Sequence, residues 1–326
     1  MLALLLERAR AGSAPGRRAD PHVVCLAVEG GGMRGAVPAG MCLVLEEAGL
    51  IPSFDRIYGC SSGALAGCFA AAGQAALWAT SFEDAACREF IDPLRALRRR
   101  PVLDLGFLFD TVIGRRRPLA ADGLARGPEL RALAVSQRDA ALRVLAGFDD
   151  VADALAAVRA SCTIPLLAGA PPHYRGEPLV DGGLLEPIPY RTALDEGASH
   201  VLVLRSRSAG FRMRMRIRAT ELAVARAHPE LAPLLRTCHA RYNRHAAELQ
   251  ALAREPDARG VVSQVTAPAW ARLVGRLSID ADRIADSLRV GAQSMAAALY
   301  GEPARLLRQP TPYLTPGAVP LPAQAA

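Results

Sequence analysis

Twice near its start the chain passes from an apolar strand pattern through a glycine-rich turn into a helical pattern, and this unit constrains the fold more than any other feature. The run from Val23 to Val28 is β-branched and apolar on both faces, as a strand buried in a parallel sheet must be. It enters Gly30, Gly31 and Gly32. Val37, Met41, Val44, Leu45 and Ala48 then recur on one helical face, and Gly49 stands where a C-terminal cap belongs. Asp55 to Tyr58 reads as a second short strand, Gly59-Cys60-Ser61-Ser62-Gly63 as a second turn, and Ala64 to Trp78 as an alanine-rich helix. Repetition of strand, turn and helix predicts an α/β fold, a three-layer α/β/α arrangement centred on a parallel sheet.

Residues 1–20 lack periodicity and contain Gly12, Pro15 and Gly16, so they read as a flexible lead-in. The core is expected over residues 21–206. Within it, residues 81 to about 149 read as a helical insertion or lid, with basic clusters at Arg98 to Arg100 and Arg115 to Arg117 around apolar residues from Leu103 to Phe109. Regular structure resumes with a helix near Asp150 to Ala160, a strand through Pro178 to Val180, a helix near Tyr190 to Glu196 and a strand from Val201 to Leu204. A mostly helical extension is predicted over 207–308: Thr220 to Glu255 broken at Pro229, then an amphipathic helix marked by Ile284, Leu288, Met295 and Leu299 and stopped at Gly301. Residues 309–326 carry five prolines, from Pro310 to Pro322, and are predicted to be disordered.

With 326 residues, 51% of them hydrophobic, the chain can bury a large core. Leu2 to Leu6 have no basic residue before them, which speaks against a signal peptide, and no apolar run approaches the ~20 residues that span a bilayer. A cytoplasmic protein is expected, touching membranes peripherally. Seven cysteines without metal-ligand spacing read as free thiols in a reducing compartment. The net charge of +7 is carried by arginine alone, without one lysine, and with aromatics at only 5% no nucleic-acid partner is expected.

Three segments carry candidate chemistry. Gly59-Cys60-Ser61-Ser62-Gly63 matches G-x-S-x-G, in which a serine sits on a tight strand-to-helix turn and Gly59 and Gly63 relieve crowding. Gly30-Gly31-Gly32-Met33-Arg34-Gly35 reads either as a dinucleotide-binding G-x-G-x-x-G or as an oxyanion loop. The first reading needs an acidic residue ending the second strand; Asp55 precedes it. Asp181-Gly182-Gly183 leaves an apolar strand of the same core, and in open parallel sheets functional residues gather at strand C-termini. A fourth segment, Ala160-Ser161-Cys162-Thr163-Ile164-Pro165, reads by itself as a helix end stopped by proline.

In this order the four segments resemble the patatin-like phospholipase family, whose pattern is G-G-G-x-R-G, G-x-S-x-G, A-S-x-x-x-P and D-G-G/A. The resemblance covers roughly Val23 to Ser206 apart from an insertion around Arg95 to Gln137, and nothing beyond Arg207 matches. It implies Ser61 as nucleophile and Asp181 as sole base, with Gly30, Gly31, Gly32, Arg34 and Gly35 at the oxyanion site and Gly182 and Gly183 completing the aspartate motif. It further implies a lipid ester as substrate, no cofactor and no metal, hence calcium independence. Glu29 replaces an aspartate often found before the glycines and is expected to be of no consequence.

Three alternatives stand beside this reading. His200 or His239 could complete a conventional Ser-Asp-His triad, although the elbow arrives early for that fold and His200 opens a strand. The glycine loop could bind a nucleotide and leave Ser61 inert. A catalytically silent lipid-binding relative is the third. Phe211 to Arg218 alternates apolar and basic residues, either as a charge-protected edge or as a ribbon meeting anionic headgroups.

Overall fold

The computed structural model describes residues 1–214, 219–255 and 260–301. Its N-terminal residues correct the expectation of a flexible lead-in. Leu2–Arg10 form helix α1, which buries Leu5 completely. The buried Arg8 guanidinium reaches Asp20 at 2.7 Å, Asp55 at 2.9 Å and the carbonyls of Ser53 and His22. Burial disfavours an isolated cation, so the geometry that satisfies Arg8 ties the segment to the sheet.

β1 (Val24–Val28) leads through the glycine loop to α2 (Ala36–Glu47), after which Gly49 adopts φ 66°. β2 (Arg56–Gly59) leads through the serine turn to α3 (Ser62–Ala71) and α4 (Ala75–Ala85). The single helix predicted over Ala64 to Trp78 is thus two, broken where Gly73 turns to φ 67° and Gln74 N–H bonds the Phe69 carbonyl. A 3-10 segment (Pro93–Arg98), π-helical turns (Phe107–Arg116) and α5 (Ala121–Arg126) form the insertion.

The insertion is shorter than predicted. β3 (Glu129–Ser136) lies parallel to β2 inside the sheet, and β4 (Leu142–Leu145) returns antiparallel on it. Ala132 and Ala134 are fully buried in β3, and alanine carries little strand propensity, so the pattern was masked. α6 (Val151–Ser161) starts at Asp150, whose carboxylate accepts the Asp153 N–H at 2.8 Å. β5 (His173–Tyr174), β6 (Glu177–Asp181), α7 (Tyr190–Asp195) and β7 (His200–Ser208) follow.

The region beyond Ser206 is neither purely helical nor an appendage. After α8 (Ala219–Ala227) and α9 (Ala232–Arg254), β8 (Val261–Ala267) pairs parallel with β7, and α10 (Ala281–Tyr300) packs on α2. Among the described residues eight strands form one mixed, mostly parallel sheet in the order β5-β6-β3-β2-β1-β7-β8, with β4 on β3. Val24, Leu26 and Val28 face the layer containing α2, α3, α4 and α10. Cys25 and Ala27 face α7 and α9. This is the three-layer α/β/α arrangement, its alternation arising from the two-residue period of a strand.

α2 and α10 meet backbone to backbone. A Cβ at Gly40 would overlap the Leu288 carbonyl, and one at Gly291 the Val37 carbonyl. Gly40→Ala is therefore expected to cost about 1–3 kcal/mol through overpacking, read as a lowered thermal midpoint. Among the described residues no disulfide joins the seven cysteines, five of which are buried. Of the basic ribbon, Phe211 to Arg214 form no strand, and Asn243 holds Met213 by both its N–H and its carbonyl. Residues 215–218 and the proline-rich tail lie outside the described residues.

Candidate active site

Ser61 occupies the turn between β2 and α3 with φ 55° and ψ −133°, a conformation that costs a non-glycine residue roughly 1–3 kcal/mol. The neighbours must be small for the turn to close. A Cβ on Gly59 would come within 2.6 Å of the Ala64 Cα, and one on Gly63 would overlap the Val28 carbonyl. The Ser61 N–H donates to Ser161 Oγ at 3.0 Å, and that hydroxyl donates to the Leu133 carbonyl at 2.6 Å. Ser161 thus fixes the strained turn to β3, a role that no pattern within its own segment announced. Ser161→Ala is expected to lower kcat roughly tenfold with KM little changed if Ser61 is the nucleophile, because Ser61 loses position and not substrate contact. Steady-state kinetics on a soluble ester checks this.

Asp181 ends β6, which runs antiparallel to β3, so the aspartate does not leave a parallel strand as predicted. It nevertheless reaches the end of the sheet where β2 delivers Ser61. Its N–H bonds the Thr163 carbonyl at 2.8 Å, and its carboxylate accepts the Gly183 N–H at 2.8 Å; the Ser61 hydroxyl is near enough to act on the same carboxylate and lower its pKa. A Cβ on Gly182 would overlap the Leu133 carbonyl, so this turn too requires glycine. Burial raises the Asp181 pKa, against the lowering effects of Gly183, Ser61 and the Arg276 charge. The same burial, with the Asp181 charge, pushes the Cys60 and Cys162 thiols up, which leaves both neutral and poor nucleophiles.

The glycine loop lies against this pair. A Cβ on Gly30 would overlap the Cys60 carbonyl and come within 3.0 Å of Ser61 Cβ; one on Gly35 would come within 2.7 Å of Ser62 Oγ. The Gly31 N–H already donates to Ser62 Oγ at 3.0 Å, and the Gly30 N–H acts on the Cys60 thiol, opposing the rise that burial gives its pKa. These two predicted donors thus frame the loop. Gly32, with φ 60°, begins the 3-10 turn to Gly35, and Ser62 begins α3. Leading N–H groups of helices have no intrahelical acceptor, so those of Gly32 and Ser62 are positioned to meet an anion. Ser62 was not among the residues expected there. Arg34 lies beside Gly31, and its buried Nε has no hydrogen-bond partner among the described residues.

Glu29, expected to be of no consequence, anchors the loop from below. Its carboxylate accepts Arg205 Nε at 2.7 Å, the Ser206 N–H at 3.0 Å and the Tyr242 hydroxyl at 3.0 Å. Ser206 Oγ in turn donates to the Gly30 carbonyl at 2.7 Å. All four side chains are buried. The partners come from β7 and α9, too far along the chain for a local pattern to reveal.

Neither competing constellation assembles. His200 pairs in register with Val24, at the opposite end of β1 from the site, and its ring meets Ser199 Oγ and His22. The groups acting on Asp181 include no histidine. The Asp55 carboxylate, which a nucleotide ribose would need, binds Arg8, Arg18 and the Val24 N–H.

Comparison with known proteins gives three findings. The family model for Patatin-like phospholipase matches residues 26–194. The uncharacterized protein YjjU of Escherichia coli (strain K12) is 30% identical over 192 residues, 57% of this chain and 53% of its own length. The chain therefore spans about half the length of that curated relative. The crystal structure of VipD from Legionella pneumophila aligns with a TM-score of 0.43 and 14% identity over 86% of this chain and 67% of that one.

Proposed function

Because the chain belongs to the patatin-like phospholipase family, we propose that it is a serine acyl hydrolase cleaving carboxylic esters of lipids through a Ser61-Asp181 dyad. The observation that carries the reading is the buried Asp181 carboxylate, on which the Ser61 hydroxyl acts and no histidine does.

Ser61 Oγ attacks the ester carbonyl carbon as Asp181 takes the hydroxyl proton. The carbonyl oxygen becomes an oxyanion facing the N–H groups of Gly32 and Ser62, a fixed array that needs no reorganisation. Collapse breaks the bond to the alcohol, which leaves with the proton from Asp181. Water then loses a proton to Asp181, attacks the acyl-enzyme and releases the fatty acid and free serine. An ordinary aspartate, titrating near ~3.9, is a weak base, and burial of Asp181 moves it towards the working range. No residue in this scheme requires a metal, so turnover is expected to survive a chelator. The lipid is met from the membrane surface; among the described residues no helix is long and apolar enough to cross a bilayer.

The test is labelling with a fluorescent fluorophosphonate followed by peptide mapping. The adduct is expected on Ser61 and on no other serine. Absence of labelling in the folded protein would exclude Ser61 as nucleophile and overturn the hydrolase reading.

A further inference from the structure

The chain pairs its most buried arginines with carboxylates. Arg8 has Asp20 and Asp55, Arg205 has Glu29, and Arg131 has Glu129 and Glu196. Arg34, Arg207 and Arg276 break the pattern: each is half-buried, and among the described residues none has a carboxylate within salt-bridge reach. They also converge. A Cβ on Gly31 would lie 3.3 Å from Arg34 Nε, one on Gly32 would lie 2.9 Å from Arg276 Cγ, and the Met33 N–H bonds the Arg276 carbonyl at 3.0 Å. Arg207 follows Ser206 and stands 4.0 Å over the Phe211 ring. The nearest carboxylates are Glu29, engaged by Arg205, Ser206 and Tyr242, and Asp181, engaged by Gly183 and Ser61.

We propose that Arg34, Arg207 and Arg276 form a subsite for a phosphoryl anion beside Ser61, which selects lipids with an acidic phosphate headgroup over zwitterionic and neutral ones. This rests on the ester-hydrolase reading above and adds the charge of the substrate to it. Burial, and then the charges of Arg207 and Arg276, push the Arg34 pKa down to about 9 against the smaller opposing effect of Glu29, so the three cations repel one another. A bound phosphoryl group relieves that repulsion, and guanidinium forks match its oxygens bidentately. A choline ammonium on the same headgroup would oppose the cluster, whereas a phosphomonoester or an acidic phosphodiester would not.

The experiment presents phosphatidic acid, phosphatidylcholine and diacylglycerol of one acyl composition as dilute guests in neutral detergent micelles, which holds surface charge constant. The readout is the ratio of kcat/KM for phosphatidic acid to that for phosphatidylcholine, so that any general loss of activity cancels. The native ratio is expected to exceed about ten, and Arg207→Gln and Arg276→Gln each to lower it roughly tenfold. Arg276→Lys should restore part of it. Arg126→Gln with Arg283→Gln, which removes surface charge elsewhere, should leave it unaltered. In a second arm, inorganic phosphate is added during diacylglycerol turnover and is expected to inhibit the native protein more than either glutamine variant. A native ratio near one with that inhibition retained would overturn the headgroup assignment in favour of free phosphate. A ratio near one without inhibition would overturn the subsite altogether. Loss of all ester turnover would instead sink the hydrolase reading on which it rests.

Discussion

Ser61→Ala lowers lipid-ester turnover by ~10⁴-fold or more, while the thermal midpoint holds or rises. The size follows from the chemistry: without Oγ there is no acyl-enzyme, and only the oxyanion donors and substrate positioning remain to assist direct attack by water. The stability follows from the backbone. Ser61 sits at φ 55°, and Ser161 holds its N–H whatever the side chain, so alanine keeps the turn and removes a hydroxyl from a buried carboxylate. Ser62→Ala separates nucleophile from neighbour. It removes the acceptor of the Gly31 N–H and is expected to slow turnover about tenfold, with labelling of Ser61 retained. Turnover that survives Ser61→Ala would exclude the elbow serine as nucleophile.

Asp181→Asn is expected to reduce kcat by roughly 10³- to 10⁴-fold and to make the protein more stable at neutral pH. Asparagine keeps an oxygen to accept the Gly183 N–H and loses the capacity to take a proton. The sign of the stability change follows from linkage. The folded-state pKa of Asp181 is raised above its unfolded value, so between the two the folded chain binds more protons, and stability falls as pH rises through that window. Above the window the native protein bears the full cost of a buried charge that the variant lacks. Denaturation midpoints should therefore favour the variant at pH 7, and the gap should close as pH falls below the ordinary carboxylate range. Turnover moves the opposite way with pH. Native kcat/KM rises as Asp181 ionises, and that acid limb should persist in His200→Ala, since His200 lies at the far end of β1. Loss of the limb in His200→Ala would make a histidine the base.

The parts of this protein visible in its sequence are those in which local pattern and tertiary role coincide. β1 and β2 run into glycine turns that lead to helices, and both the apolar runs and the glycines are contiguous. Asp181 was legible as a motif, but its strand direction was not, because nothing in Glu177 to Asp181 distinguishes a strand parallel to β3 from one that opposes it. α1 escaped notice because its fixing group is one arginine whose partners lie at Asp20 and Asp55. β3 escaped because alanine fills its buried positions. Within the site, Ser161 and Glu29 act through partners far away in sequence. Leu133, Arg205 and Tyr242 carry no motif of their own, so the contacts that steady the turn and the loop became visible only in three dimensions.

The Glu29 network also sets an order of events during synthesis. Ser61 and Asp181 leave the ribosome with the first two thirds of the chain, yet Arg205 joins Glu29 to Tyr242 and to Gln264 on β8, and the Gly32 turn rests on the Arg276 carbonyl. At about 5–20 residues per second, a nascent chain spends several seconds with its reactive pair complete and its oxyanion loop unsupported. On the proposed dyad reading, the nascent site is thus latent. The oxyanion loop gains its supports only when β8 and the segment that carries Arg276 have been made.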